Sequence, residues 1–156
     1  MSGLAGFPPL PEDGGRFIVL FARFEFAARR AGWHRGSEPL IAWGKVASAF
    51  TPAFLDAARP IASYLISSPP KDLTLVNGGW CFALQPEPIT STVDLFKAVA
   101  QVRNNFLHGE KPYWSERDKK LIADATAVLE RAYAWAQEHD LPIAVHIHES
   151  FGGGTP

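Results

Sequence analysis

The chain has 156 residues, the size of one ordinary domain and long enough to bury a core. Hydrophobic residues make up 47%, charged residues 20%, and the formal net charge is −1. This composition excludes a disordered polyelectrolyte and gives no overall pull toward nucleic acid or membrane, so any binding to a polyanion must come from a local patch.

Cys81 is the only cysteine, which rules out an internal disulfide and a cysteine-based zinc site and fits a reducing compartment. The opening residues do not read as a signal peptide, because no apolar run follows a basic segment. No apolar run approaches the roughly 20 residues that span a bilayer. The expected address is therefore the cytoplasm, with no membrane partner.

Residues 1–15 are rich in glycine and proline and are expected to form a flexible arm. A helix is expected from about Arg16 to Ala31. Its stripe is Phe17, Leu20, Phe21, Phe24, Ala27, Ala28 and Ala31, and Gly32 stops it. A second helix is expected from Ser37 or Glu38 to about Phe50, burying Leu40, Ile41, Trp43, Val46 and Phe50. Thr51 then caps a third helix with Pro52 at its first position. Ile61, Leu65 and Ile66 extend that helix beyond a break at Pro60. Leu73 to Val76 and Trp80 to Leu84 flank Asn77-Gly78, the pair that a tight hairpin turn prefers, so a hairpin insertion is expected at about 73–84.

A further helix runs from about Val93 to Leu107, capped by Thr90, Ser91 or Thr92 and closed by Gly109. A long one follows from about Ser115 to His139 and ends before Pro142. Residues 141–156 form a tail in which Ile143 to Ile147 suggest a short strand. The fold class expected is all-α: a bundle of four to five helices spanning 16–140, with the hairpin inserted.

The segment from Gln101 to Lys111 carries the unusual chemistry. Phe96, Ala100, Arg103 and Leu107 share one side of their helix, so Arg103 is expected to face the core and to need a partner there. Asn104 and His108 are four residues apart and lie over one another on the adjoining face. Arg103 and His108 are five apart. They diverge on a regular helix and converge on one ligand only through the helix end at Gly109 or a second subunit. These residue types suit RNA cleavage. Histidine moves protons near neutral pH, with an unperturbed pKa of about 6.5. Arginine matches phosphate oxygens with a fork of donors, and asparagine can orient the ring or donate to the phosphate.

The run Arg103-Asn-Asn-Phe-Leu-His108, followed by Gly109, resembles the arginine, four-to-six residue, histidine motif of HEPN domains. The phrase Arg23-Phe-Glu-Phe-Ala-Ala-Arg-Arg-Ala-Gly32 also resembles bacterial members of that superfamily. The resemblance covers about Arg16 to Gln137, leaving out both ends and the hairpin. It implies an up-and-down helical bundle that pairs into a homodimer with both motifs in one cleft. It also implies metal-independent endoribonuclease activity, as in toxins of toxin–antitoxin pairs or phage-defence effectors. Arg103 and His108 would be the catalytic pair and Asn104 their polar helper, with no cofactor, RNA as substrate and an antitoxin protein as a further partner. Glu25 is a supporting candidate that would pair with Arg103 or Arg23. In one toxin branch a tyrosine follows the histidine by two residues; here that position is Glu110, so modification there is not implied.

The alternative is a non-catalytic module of the same type that binds RNA, a nucleotide or a partner protein. The plainest reading of the trio is a polar network between helices. Arg29, Arg30 and Arg35 with His34 form a basic cluster for phosphates, or merely a solvated helix end, and Lys111 adds a further RNA-binding candidate. Arg117, Lys119 and Lys120 are offset by Glu110, Glu116 and Asp118 and read as a solvated face. His146 and His148, with His139 and Glu149 near them, lack a fixed third ligand, so no metal is expected. Cys81 reads as a small buried hydrophobe. Trp33, Trp43, Trp80, Trp114 and Tyr133 read as core rather than as base-stacking platforms. Gly152 to Gly154 precede no helix and form no phosphate loop.

Overall fold

The computed structural model describes residues 13–107, 114–147 and 149. His108, Lys111, His148, the first twelve residues and Gly152 to Gly154 lie outside the described residues, and the expectations placed on them lie outside as well.

Six helices and one two-stranded antiparallel sheet are found among the described residues. In chain order they are α1 (Gly14–Arg30), α2 (Trp43–Ala58), α3 (Ser63–Ser67), β1 (Leu73–Val76), β2 (Gly79–Phe82), α4 (Thr92–Leu107), α5 (Glu116–Glu138) and α6 (Ile143–Ile147). No helix among these residues is long and apolar enough to cross a membrane.

Helix α1 begins at Gly14, inside the expected arm, because the Asp13 carbonyl accepts from Phe17 N–H and closes the first turn. The expected second helix starts later than periodicity suggests. Residues 34–41 form a turn joined by an antiparallel bridge between His34 and Ile41, and Leu40 is exposed rather than buried. Its polar residues and Gly36, at φ +50°, favour the turn over a helical start. The break expected at Thr51 is present, although α2 continues through it. Thr51 has φ +67°, a strained value for a β-branched residue, and Pro52 after it disfavours the helical conformation there. Thr92 Oγ1, at the start of α4, donates to the Thr51 carbonyl at 2.9 Å and holds the kink.

The hairpin register pairs Leu73 with Phe82, Thr74 with Cys81, Leu75 with Trp80 and Val76 with Gly79. Asn77 and Gly78 both have positive φ, the requirement of the two-residue turn that matches strand twist. Cys81 is exposed, contrary to the expectation of burial, because it lies on a hairpin face that no helix covers. The tail does not form a strand: Ile143 to Ile147 are helical. Ile143 and Ile147, four residues apart, are buried where α6 packs on α1 and α5.

Helix α5 touches every other helix and is therefore the axis of the core. Its start is fixed by a capping box in which Ser115 Oγ accepts from Asp118 N–H and the Asp118 carboxylate accepts from Ser115 N–H. Asp118 is buried. Arg117 donates to Tyr64 Oη, the Pro69 carbonyl and Gln85 Oε1, tying α5 to α3 and to the foot of the hairpin. These two residues serve the fold rather than a solvated face. Asp124 adds a second tie by accepting from Leu65 N–H at 3.0 Å.

Four aromatic rings surround Phe96 of α4. Its ring centroid lies 5.7 Å from that of Phe24, 6.2 Å from Trp43, 5.1 Å from Phe50 and 5.3 Å from Phe54. Phe96→Ala would open a void between three helices. Denaturant unfolding should show a loss of about 3–5 kcal/mol.

Tyr133 of α5 donates its hydroxyl to the Leu20 carbonyl of α1. Burial raises its pKa above the ordinary tyrosine value of 10.0, with Arg23 pulling weakly the other way. The unfolded chain therefore releases this proton at a lower pH than the folded chain does. The associated stability is complete below pH 10.0 and falls as pH rises above it. Stability measured across the alkaline range should decline less steeply in Tyr133→Phe than in wild type.

Candidate nucleic-acid interface

Helix α4 buries Leu95, Phe96, Val99, Val102 and Phe106, the stripe that a 3.6-residue period produces. Arg103 follows Phe96 by two turns and falls at the rim of that stripe. The side shared with Ala100 and Leu107 is not core, since Leu107 is 56% exposed. The expectation that Arg103 faces the core is corrected to a half-buried position, with 31% of the side chain accessible.

One face of the guanidinium lies over the Phe21 ring, with Cζ 4.8 Å from the centroid. Its Nη2 is 3.6 Å from Glu25 Oε2, so Glu25 pairs with Arg103 and not with Arg23. Arg23 instead reaches the Ile147 carbonyl at 3.5 Å. Arg103 Nε is buried and has no hydrogen-bond partner among the described residues. Phe21 and Glu25 of α1 thus orient the guanidinium, whose accessible part presents a fork of donors that matches phosphate oxygens.

Asn104 and Asn105, neighbours in sequence, have opposite roles. Asn105 accepts from Gln101 Nε2 and donates to the Lys71 carbonyl, each at 2.8 Å, and so fastens α4 to the hairpin foot. Asn104 instead lines an open depression of about 180 Å³ together with Glu25, Arg35 and Arg103, floored by Ile41 and Trp43. Arg35 is carried there by the 34–41 turn. In that turn Arg35 N–H donates to the Leu40 carbonyl at 2.9 Å, and the Arg35 carbonyl accepts from Glu38 N–H at 2.8 Å.

The depression opens into a larger groove of about 620 Å³, with which it shares Arg35, Trp43, Ala100 and Asn104. This groove continues past Gln101, Lys97 and Asp94 to the Pro86–Thr90 segment. Charge separates the two spaces. The depression has two guanidinium groups against one carboxylate. The groove has Arg35 and Lys97 against Asp72, Glu87 and Asp94. A phosphate is favoured in the depression and a neutral group in the groove.

Of the basic cluster, only Arg35 reaches this site. Arg29 donates to the Pro39 carbonyl at 3.5 Å, and Arg30 lies over the Phe26 ring. His146 pairs with Glu149 at 3.0 Å, while His139 stacks on Trp135. No cluster of three metal-ligating side chains occurs among the described residues. Trp33 is buried and Trp43 half-buried, as read. Trp80 is exposed, contrary to the core reading.

Sequence reasoning missed Lys97, Gln101 and Trp43 as lining residues. Lys97, Gln101 and Asn104 are spaced by four and three residues, a polar stripe that periodicity could have revealed. Trp43, read as core rather than as a stacking platform, packs against the core and lines the site as well.

No family model matches the chain, and neither the curated proteins nor the solved structures gave a match.

The Glu25 to Arg103 pair is partly solvated, so it contributes modestly to stability. Glu25→Gln should change the free energy of unfolding by less than about 1 kcal/mol. Removing the carboxylate should at the same time tighten binding of a short oligonucleotide, measured by fluorescence anisotropy at low salt.

Proposed function

We propose that this chain is a metal-independent endoribonuclease of the HEPN type, built as an up-and-down helical bundle and acting on a phosphodiester seated between Arg103, Asn104 and Arg35. The observation that carries the reading is the half-buried Arg103, oriented by Phe21 and Glu25 yet open to a depression of net positive charge. Its role is to hold the non-bridging oxygens and to balance the charge that builds on phosphorus. Asn104 adds a donor to the same group. His108, one residue beyond the end of α4 in sequence, is assigned the proton transfers.

In the cleavage step the 2′-oxygen loses its proton and attacks phosphorus. The bond to the 5′-oxygen breaks, and that oxygen takes up a proton, leaving a 2′,3′-cyclic phosphate and a free 5′-hydroxyl. Histidine performs one or both transfers near neutral pH. The cellular role that goes with this chemistry is a toxin or a phage-defence effector, restrained by an antitoxin protein in the toxin case. The larger groove, acidic on balance, suits a nucleobase rather than a second phosphate.

The test uses purified protein, a panel of structured and single-stranded RNAs, and EDTA. Wild type should cleave and leave cyclic phosphate ends. His108→Ala should slow cleavage by roughly 10²–10⁴-fold. Arg103→Ala should weaken RNA binding as well as cleavage. Equal cleavage by wild type and His108→Ala, or no cleavage of any RNA, rejects the enzymatic reading. RNA binding that is weakened by Arg103→Ala, without product, would identify a binding module instead.

A further inference from the structure

We infer that the groove beside Arg103 selects guanine, with the Asp94 carboxylate accepting from two donors of the base and the Lys97 ammonium donating to its carbonyl oxygen. The inference rests on the reading of the depression as a phosphate site and of the groove as a base site. Asp94, Lys97, Gln101 and Asn104 of α4 recur at three- and four-residue intervals, and all of them line the groove. Asn104 belongs to the depression as well. From Asn104 back to Lys97 a regular helix covers about 10 Å, comparable with the span of one nucleotide from phosphate to base edge.

The backbone of this stripe is fixed by the core. Asp94 and Lys97 flank Leu95 and Phe96, both fully buried, and Phe96 is enclosed by its ring cluster. Asp94 N–H donates to Ser91 Oγ at 3.2 Å, which secures the first turn of α4 without using the carboxylate. Neither that carboxylate nor the Lys97 ammonium forms an ion pair among the described residues. Gln101, between the two ends, is engaged already, since its Nε2 donates to Asn105 Oδ1 at 2.8 Å. Trp43, Pro86 and Pro88 add apolar lining against which the flat face of a base can rest.

The chemistry of the stripe distinguishes the four bases. An ionised carboxylate offers two acceptor oxygens and no donor. Guanine alone presents two adjacent donors, N1–H and N2–H, on its Watson–Crick edge, and these meet both oxygens at once. Its O6, beside them, is an acceptor and suits an ammonium one turn along the stripe. Adenine and cytosine each set a single amino donor next to a bare ring nitrogen, which a carboxylate repels. Uracil places its one N–H between two carbonyl oxygens and so brings acceptors toward an acceptor. The other groove carboxylates, Asp72 and Glu87, lie on connecting segments and raise the cost of seating a second phosphate. An acid in the first turn of a helix also complements the helix dipole, but that role is blind to the identity of a base.

Isothermal titration calorimetry at low salt, with EDTA present, tests this with the 3′- and 5′-monophosphates of the four ribonucleosides. A guanosine monophosphate should bind about fivefold or more tighter than its adenosine, cytidine and uridine counterparts. Asp94→Asn, at an exposed position, should remain folded by circular dichroism and reduce that ratio to below about twofold. Lys97→Met should weaken guanosine monophosphate more than uridine monophosphate, whereas Glu87→Gln, off the stripe, should leave the ratio unchanged. Binding without a guanine preference, a preference that survives Asp94→Asn, or no binding of any nucleotide would overturn the proposal. Cleavage is read separately. RNA cut without regard to base removes this inference and leaves the ribonuclease reading standing. A guanine preference lost in Asp94→Asn, with no RNA cut, sustains the inference and removes the enzymatic reading.

Discussion

The position of the candidate site depends on the ring cluster at Phe96. Phe24 from α1 and Trp43, Phe50 and Phe54 from α2 enclose that side chain and allow α4 little rotation about its own axis. Large aromatic side chains bury much surface and meet in preferred geometries, so such a cluster fixes orientation as well as depth. Two turns along α4, that orientation places Arg103 against Phe21 and Glu25. The same α1 residues that fill the core thus aim the guanidinium. Had α4 been turned further inward, Arg103 would have met apolar rings at a prohibitive desolvation cost; turned outward, it would have lost both partners.

A second constraint acts on the opposite side of the depression. Trp43 stacks on Phe24 and Phe96 while also lining the site, so core and binding surface share one residue. The 34–41 turn, held by backbone hydrogen bonds to Trp33 and Leu40, brings Arg35 to the same space. The strained Thr51, stabilised by Thr92, lets α2 bend so that Phe50 and Phe54 both face Phe96. Strain at that kink is offset by the aromatic contacts it permits.

The electrostatic pattern is local, as the near-zero net charge requires. A positive pocket adjoins an acidic groove, and the two share Asn104. Such a division suits a ligand with one anionic group and one neutral planar group.

Much of the fold was legible in the sequence. The stripes of α1, α4 and α5, the kink before Pro52 and the Asn77-Gly78 turn follow from side-chain period, proline sterics and turn chemistry, all of which act over a few residues. Arg103, Asn104 and Glu25 were candidates for a different reason, the chemistry of their side chains and the resemblance carried by the Arg103 to His108 run. What the sequence could not supply was every feature decided by contact between distant segments. Leu40 is apolar yet exposed, and Ile143 to Ile147 alternate like a strand yet form a helix because α1 and α5 bury one side of it. Arg117 and Asp118 read as solvated yet tie helices together, and Cys81 lies in an apolar run yet remains uncovered. Periodicity tells which side of an element is apolar. Only the tertiary arrangement decides whether another element arrives to cover it, because burial is a property of pairs of surfaces and no single segment encodes its partner.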